Sequence, residues 1–442
     1  MHYKNLLLVI ISIAMVITAS VVFSCKNNQP ADKSSTTDNT KKKSTNDTFR
    51  VRPLTNVKFE PTAQRLKLGG YLANGILQCF TCHSPRNWDL PGAPPLEDRK
   101  GSGGTIINED STMRIIAPNI TPDKETGAGT WTDDMLARAI REGAGHDGRA
   151  LNWRMPHFVF RNLSDEELAA VIVYLRSLAP VHNVVPPTKM SAEEKAGMEK
   201  SIAPITSPVL AVDQSDSIKR GMYLVRIGEC VGCHTSHAAY NPGINGGGND
   251  ITRFGRRAFS ANITADESGI PYGPQNFIFA IRTGKGGTLS PIMPWVAYRN
   301  MTDEDLRAMY AYLRTLPAAK HAVSSRLPFT HCAICGMDHG LGEKNKREMP
   351  AGVKIDPALY NNYTGTYFNE ERQSTYIIFK EGNKLFGKQW ETAPKIELIP
   401  QSASYFLAPG WPVPVSFIKD KDGHITQLME ATDYGVLHKK IK

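Results

Sequence analysis

The sequence predicts a multidomain chain: two mainly α-helical units built on one plan, followed by a small antiparallel β-domain. Three observations predict it. The pentapeptides CFTCH (79–83) and CVGCH (230–234) recur. The segments around them repeat in the same order. Beyond residue 350 the pattern changes to alternating apolar residues interrupted by turns. At 442 residues the chain is long enough to bury several cores.

From the N-terminus, residues 1–25 read as an export signal: Lys4, a mainly apolar run from Leu6 to Phe23, then Ser24 and Cys25. The tetrapeptide Val22-Phe23-Ser24-Cys25 resembles a bacterial lipobox, which makes Cys25 the expected lipid attachment site; an uncleaved membrane anchor is the alternative. Either way the body is expected to face the periplasm, anchored to a membrane. Residues 26–59 are expected to form a disordered tether, since KNNQPADKSSTTDNTKKKSTNDT (26–48) holds no core-forming residue. The formal charge of +9 and pI near 9.0 favour acidic partners or anionic lipid head groups. No Lys/Arg stripe interleaved with stacking aromatics stands out, so nucleic acid is not an expected partner.

The repeat sets the boundaries of the helical units at 60–182 and 214–320, with a linker at 183–213. LGGYL (68–72) matches RGMYL (220–224), PNIT (118–121) matches ANIT (261–264), and AIREG (139–143) matches AIRTG (280–284). RMPHF (154–158) matches IMPWV (292–296), RNLSDEEL (161–168) matches RNMTDEDL (299–306), and YLRSL (174–178) matches YLRTL (312–316). From the methionine onward the register is identical: Met155 to Tyr174 and Met293 to Tyr312 are both 19 positions. Ser164 and Thr302 are good N-caps, and Glu167 completes a capping box, with Asp305 a poorer partner for Thr302. Leu168, Val171, Ile172 and Leu175 then share one helical face, as do Leu306, Met309, Tyr310 and Leu313. Gly69 and Gly221, lacking a Cβ, would let an upstream helix approach each terminal helix closely.

Two thiols three positions apart can form thioethers with the two vinyl groups of one porphyrin, and the adjacent histidine then sits under the iron. Cys79, Cys82 and His83, and Cys230, Cys233 and His234, are therefore expected to hold two covalently bound haem c groups. With these motifs each half resembles a class I cytochrome c domain. The pair resembles the cytochrome subunits of membrane-bound bacterial alcohol and gluconate dehydrogenases. That resemblance makes the methionines of the MP segments, Met155 and Met293, the distal iron ligands. Their identical downstream spacing supports the same role, and thioether sulfur suits iron at a raised reduction potential.

Weaker expectations attach to other repeated residues. Asn119 and Asn262 would either hydrogen-bond a propionate or stabilise a turn; Arg141 and Arg282 would pair with propionates or end a helix in solvent. Pro95 resembles the proline whose carbonyl orients the proximal imidazole, with glycines (INGGG) at that place in the second copy. His146 and His157 have no counterparts in the second copy and are expected at the surface.

The segment 321–354 is expected to be a linker carrying HCAICGMDHG (331–340). Gly336 stands where attachment chemistry needs a histidine, so a third haem is not expected. Cys332 and Cys335 are expected to form a disulfide, or a soft-metal site with His331 or His339. Residues 355–442 resemble a small lipocalin-like β-domain. The expected function is single-electron transfer, from a dehydrogenase or quinol-oxidising complex to an oxidase or another cytochrome, without catalysis by this chain itself. The alternatives are a di-haem peroxidase, which needs an open distal position, or a haem-based sensor.

Overall fold

The computed structural model describes residues 51–442 except 238–240, 286–289, 291, 347–350, 371, 410, 412–413 and 431–435. The expected export segment with Cys25, and residues 26–50 of the expected tether, lie outside the described residues. Among the described residues no helix is long and apolar enough to cross a membrane.

The first repeat comprises α1 (Ala63–Asn74), α2 (Cys79–Cys82), a hairpin of β1 (Ile106–Glu109) and β2 (Arg114–Ile116), α3 (Asp133–Arg141), α4 (His157–Phe160) and α5 (Asp165–Arg176). After α6 (Ala192–Ser201) the same order returns: α7 (Ser217–Ile227), α8 (Cys230–His234), β3 (Asp250–Arg253), β4 (Arg256–Phe259), α9 (Pro274–Thr283), α10 (Trp295–Tyr298) and α11 (Asp303–Leu313). The capping box forms at Ser164–Glu167. Thr302 caps α11 through the Asp305 amide, leaving the Asp305 carboxylate for other partners.

Three segments are more ordered than the sequence implies. Residues 51–59 of the expected tether lie against α3, where Arg52 pairs with Asp134 at 2.6 Å and Glu142 at 2.8 Å. The expected linker 183–213 contains α6, started by a Ser191–Glu194 capping box. The CxxC segment carries a hairpin, β5 (Ser324–His331) and β6 (Asp338–Gly340).

The C-terminal domain is a closed antiparallel barrel of β7 (Gly365–Asn369), β8 (Ser374–Glu381), β9 (Lys384–Lys388), β10 (Ile396–Pro400), β11 (Tyr405–Leu407), β12 (Val415–Lys419), β13 (Ile425–Glu430) and β14 (Val436–Lys440), preceded by α12 (Tyr360–Tyr363). Each strand pairs with its neighbours in sequence and β14 closes onto β7, so no edge is left unpaired. Its interior is aromatic, with Tyr363, Tyr367, Phe406 and Phe417 edge to face.

The two helical repeats share one hydrophobic core, in which Leu72, Ile76, Leu168 and Ile172 join Leu224, Ile227, Leu306 and Leu313. Within each repeat the first helix crosses the last at a glycine. A Cβ on Gly69 would overlap the Ala170 carbonyl, and one on Gly221 would overlap that of Ala308. Gly69→Ala and Gly221→Ala are each expected to lower stability by roughly 1–3 kcal/mol or more, because the obstruction is backbone and cannot rotate away. Gly197→Ala, where α6 leaves open space, should be neutral or slightly stabilising. Thermal unfolding of the three variants checks this, and an unchanged melting temperature for the first two would disprove the close crossing.

Candidate functional site

Both CxxCH segments start from a residue in the left-handed region, Gln78 (φ 47°) and Glu229 (φ 59°), which turns the chain sharply from the first helix into the short cysteine helix. None of the four cysteines of these motifs is joined in a disulfide. Burial pushes the Cys79 thiol up to about 12 and that of Cys233 up to about 11.

The histidines of the two motifs are held in the same way. The Nδ1–H of His83 donates to the Pro118 carbonyl at 2.9 Å, and that of His234 to the Ala261 carbonyl at 2.7 Å. Each ring is thereby fixed in one tautomer with Nε2 as the remaining ligand atom. Burial also lowers the affinity of both rings for a second proton. The carbonyl acceptor is therefore the residue before the NIT segment in both copies. It is not Pro95, whose neighbourhood instead bridges to Arg86.

A glycine-rich loop locks each histidine from its backbone side. Gly103 donates to the His83 carbonyl at 2.9 Å and Gly247 to that of His234 at 2.7 Å. GSGG (101–104) is thus the structural equivalent of NGGG (245–248). Gly103 (φ 70°) and Gly247 (φ 75°) lie so close to the Pro118–Asn119 and Ala261–Asn262 backbones that any Cβ would overlap them.

Asn119 and Asn262 stabilise turns. Their side-chain carbonyls accept from the Thr121 and Thr264 amides at 3.0 and 2.9 Å, and their amides donate to the Val181 and Ala319 carbonyls at 2.8 and 2.6 Å. These bonds tie each proximal loop to the chain leaving the terminal helix. Arg141 and Arg282 bind the first residue of that helix, Asp165 at 2.7 Å and Asp303 at 2.6 Å. Their guanidinium groups are thus held by helix-end carboxylates.

Met155 and Met293 each precede a proline with nearly the same backbone, Pro156 at φ −79°, ψ 54° and Pro294 at φ −78°, ψ 57°. Both side chains are half-buried against the shared core. His157 is buried rather than exposed, its Nδ1 hydrogen-bonded to the Met155 carbonyl at 3.0 Å. His146 is half-buried and stacks on Trp131 at 4.3 Å. Apolar packing of the imidazole rings explains both departures from the expected surface placement.

The charges of Arg154, Glu229 and Arg253 act on both Cys82 and Cys233, so the two attachment segments face one shared cluster. Burial together with Arg253 pushes Arg154 down to about 10. Arg154 Nε, Arg253 Nε and Arg86 Nη1 are buried without a hydrogen-bond partner. Orphaned cationic donors beside a porphyrin attachment site fit an anionic group such as a haem propionate. With the donor set above, the residues present fit haem c in each repeat.

The repeats also exchange bonds. Tyr71 of the first donates to Asp305 of the second at 2.5 Å, and Tyr223 of the second donates to Glu167 of the first at 2.5 Å. Burial, with the facing carboxylates, pushes both phenols up, so they remain donors. Arg220 holds the same Asp305 through both oxygens at 2.8 and 2.7 Å.

Cys332 and Cys335 are buried and unbridged, beside His321 and His339, whereas His331 is exposed and paired with Asp338 at 3.0 Å. Sequence reasoning missed His321 because it lies outside the CxxC motif. It also missed the Pro118 and Ala261 carbonyls, although the repeated NIT segments pointed to their loops.

Residues 218–317 match the cytochrome c family model, so the second repeat is a cytochrome c domain. The chain is 29% identical over 63% of its length to the fructose dehydrogenase cytochrome subunit of Gluconobacter japonicus, covering 59% of that protein. It is 27% identical over 63% of its length to the cytochrome c subunit of alcohol dehydrogenase (quinone) of Gluconobacter oxydans, covering 64% of it. A third relative, a di-haem cytochrome c-type protein of Cereibacter sphaeroides, is 25% identical over 54% of the chain and 82% of that protein. The chain thus spans about three fifths of the two dehydrogenase subunits and is homologous to them.

Removing either exchanged phenol leaves a buried carboxylate short of a donor. Tyr71→Phe and Tyr223→Phe are each expected to cost about 1.5–3 kcal/mol. Urea unfolding followed by circular dichroism measures it, and wild-type midpoints in both variants would mean that these bonds do not hold the repeats together.

Proposed function

We propose that the chain is a di-haem c-type cytochrome relaying single electrons between a dehydrogenase or quinol-oxidising complex and an oxidase or another cytochrome. It would act at the periplasmic face of a bacterial membrane, anchored by lipid on Cys25. The observation that carries this reading is the duplication of one ligand-support geometry on both sides of a single rigid core. The relatives that are dehydrogenase cytochrome subunits point to a dehydrogenase as donor.

Haem c, when bound, supplies a one-electron ferric/ferrous couple. Cys79 and Cys82, and Cys230 and Cys233, would hold it covalently, with His83 and Met155, and His234 and Met293, as the residues that would ligate the iron. The Pro118 and Ala261 carbonyls keep each imidazole oriented. Arg86, Arg154 and Arg253 offer positive charge to the propionates. The exchanged tyrosine bonds and common core keep the two sites at a constant separation, as a relay between them requires. A peroxidase would need the distal side of one copy left open, and the equal backbone of the two Met-Pro turns favours the relay.

Met155→His and Met293→His should each lower one of the two midpoint potentials, leave the haem count at two, and remove about half of the weak far-red band of methionine-ligated ferric haem. Spectroelectrochemical titration with a pyridine haemochrome count reads all three. Unchanged potentials and band in both variants would exclude these methionines as ligands. Peroxide turnover with a reduced cytochrome donor would replace the relay with the peroxidase.

A further inference from the structure

The CxxC segment left outside the haem chemistry meets two histidines in the fold. The side chains of His321, Cys332, Cys335 and His339 are all buried, and their ligand atoms lie within 4.8 Å of one another. Cys332 Sγ is 3.4 Å from His321 Nε2. A tetrahedral zinc with ordinary Zn–S and Zn–N bonds separates such a pair by about 3.6 Å. The two imidazoles stand at 83° with centroids 5.2 Å apart, so the ring planes diverge as two ligands of one tetrahedron do.

We propose that His321, Cys332, Cys335 and His339 form a structural zinc site that clamps the β5–β6 hairpin to the proximal loop of the second repeat. Both histidines are prepared as ligands by bonds on their other nitrogen. His321 Nδ1–H donates to the Gly246 carbonyl at 2.8 Å, and His339 Nδ1–H to the Gly340 carbonyl at 3.0 Å. That leaves Nε2 as the lone-pair atom in each, the arrangement that orients metal-bound imidazoles. His339 Nε2 is buried with no partner other than the Cys332 sulfur beside it, and a metal between the two would satisfy both. Two sulfurs and two nitrogens in a fully buried set, with no side open for water, match a closed zinc site rather than a catalytic one. Binding converts both thiols to thiolates and releases two protons to solvent.

The CxxC turn suits this role. The Cys335 amide points at Cys332 Sγ at 3.5 Å, Gly336 donates to the Cys332 carbonyl at 2.9 Å, and Gly336 takes φ 73°, which a residue with a Cβ rarely adopts. Asn345 grips the backbone of Ala322 through both its side-chain atoms at 2.8 Å, holding His321 in place.

The first repeat shows how the second acquires the ligand. There Asn183 donates to the Ser102 carbonyl at 2.8 Å, the same bond that His321 makes to Gly246. A histidine at that position keeps the hydrogen bond through Nδ1 and adds Nε2 for a metal. The site also sits one residue from the support of the second haem ligand, because Gly247 bonds the His234 carbonyl.

The test is metal analysis of the full-length protein, purified without chelators and counted against haem, with thiol alkylation after denaturation in chelator. One zinc per chain and alkylation of Cys332 and Cys335 without reductant are expected. His321→Asn, which reproduces the first repeat, should keep both haems and weaken zinc binding by at least about tenfold in competition with a chromogenic chelator. His331→Asn should retain zinc. Copper in place of zinc, protein that takes up no added zinc, or thiols that alkylate only after reduction would each overturn the proposal.

Discussion

The two CxxCH segments follow helices whose approach to the core is set by the backbone contact between Gly69 and Ala170 and its copy between Gly221 and Ala308. Bringing two helices to that distance requires the missing Cβ and fixes the angle at which α1 and α7 leave the core. The cysteine helices begin a turn later, so the crossing sets where the porphyrin would attach. Two residues beyond each glycine a tyrosine points out of its own repeat and reaches the acid at the third position of the other repeat's terminal helix. One steric constraint thus serves both the site within a repeat and the contact between repeats.

That contact changes what the duplication means physically. Two cytochrome units joined by a flexible linker would sample a range of separations, and electron transfer between them would depend on that range. Here the repeats share a continuous apolar core, and the exchanged phenol–carboxylate bonds obey an approximate twofold relation. The buried charges gather on the same seam, where Glu229 meets Arg253 at 3.5 Å and both attachment segments feel Arg154. Fixed geometry and a common electrostatic environment suit a relay between two centres. The barrel adds no buried edge and no group drawn on by that relay.

The sequence was most informative where chemistry needs a particular residue type at a particular spacing. CxxCH, the Met-Pro turns, the Ser164 box and the glycine crossings carry such patterns, and alternation of apolar residues marked the strands that close into the barrel. The proximal hydrogen bonds were harder to read because their acceptors are main-chain carbonyls, and Pro118 and Ala261 share no side-chain chemistry. Pro95 looked suitable by residue type, yet the acceptor is decided by which backbone passes the ring. The Tyr71–Asp305 and Tyr223–Glu167 pairs join residues far apart in sequence, so no local pattern announced them. For α6 the signal was present, since Ser191 and Glu194 form a capping box within a stretch that otherwise reads as linker.

A repeat also makes departures from itself informative. Positions that support the expected ligands are the same in both copies: glycine loop, NIT turn, Met-Pro turn and capped terminal helix. The differences lie elsewhere. Arg154 precedes one methionine and Ile292 the other, which puts the extra cation on the seam between the sites rather than around both equally. Asn183 and His321 make the same backbone hydrogen bond, and only the second has a nitrogen left over, directed at a cysteine. The exchange conserves the structural bond, adds a ring nitrogen, and packs the imidazole against His339 and Gly248. The second repeat thus has at that position a ring nitrogen that the first lacks, and it lies 3.4 Å from a buried sulfur.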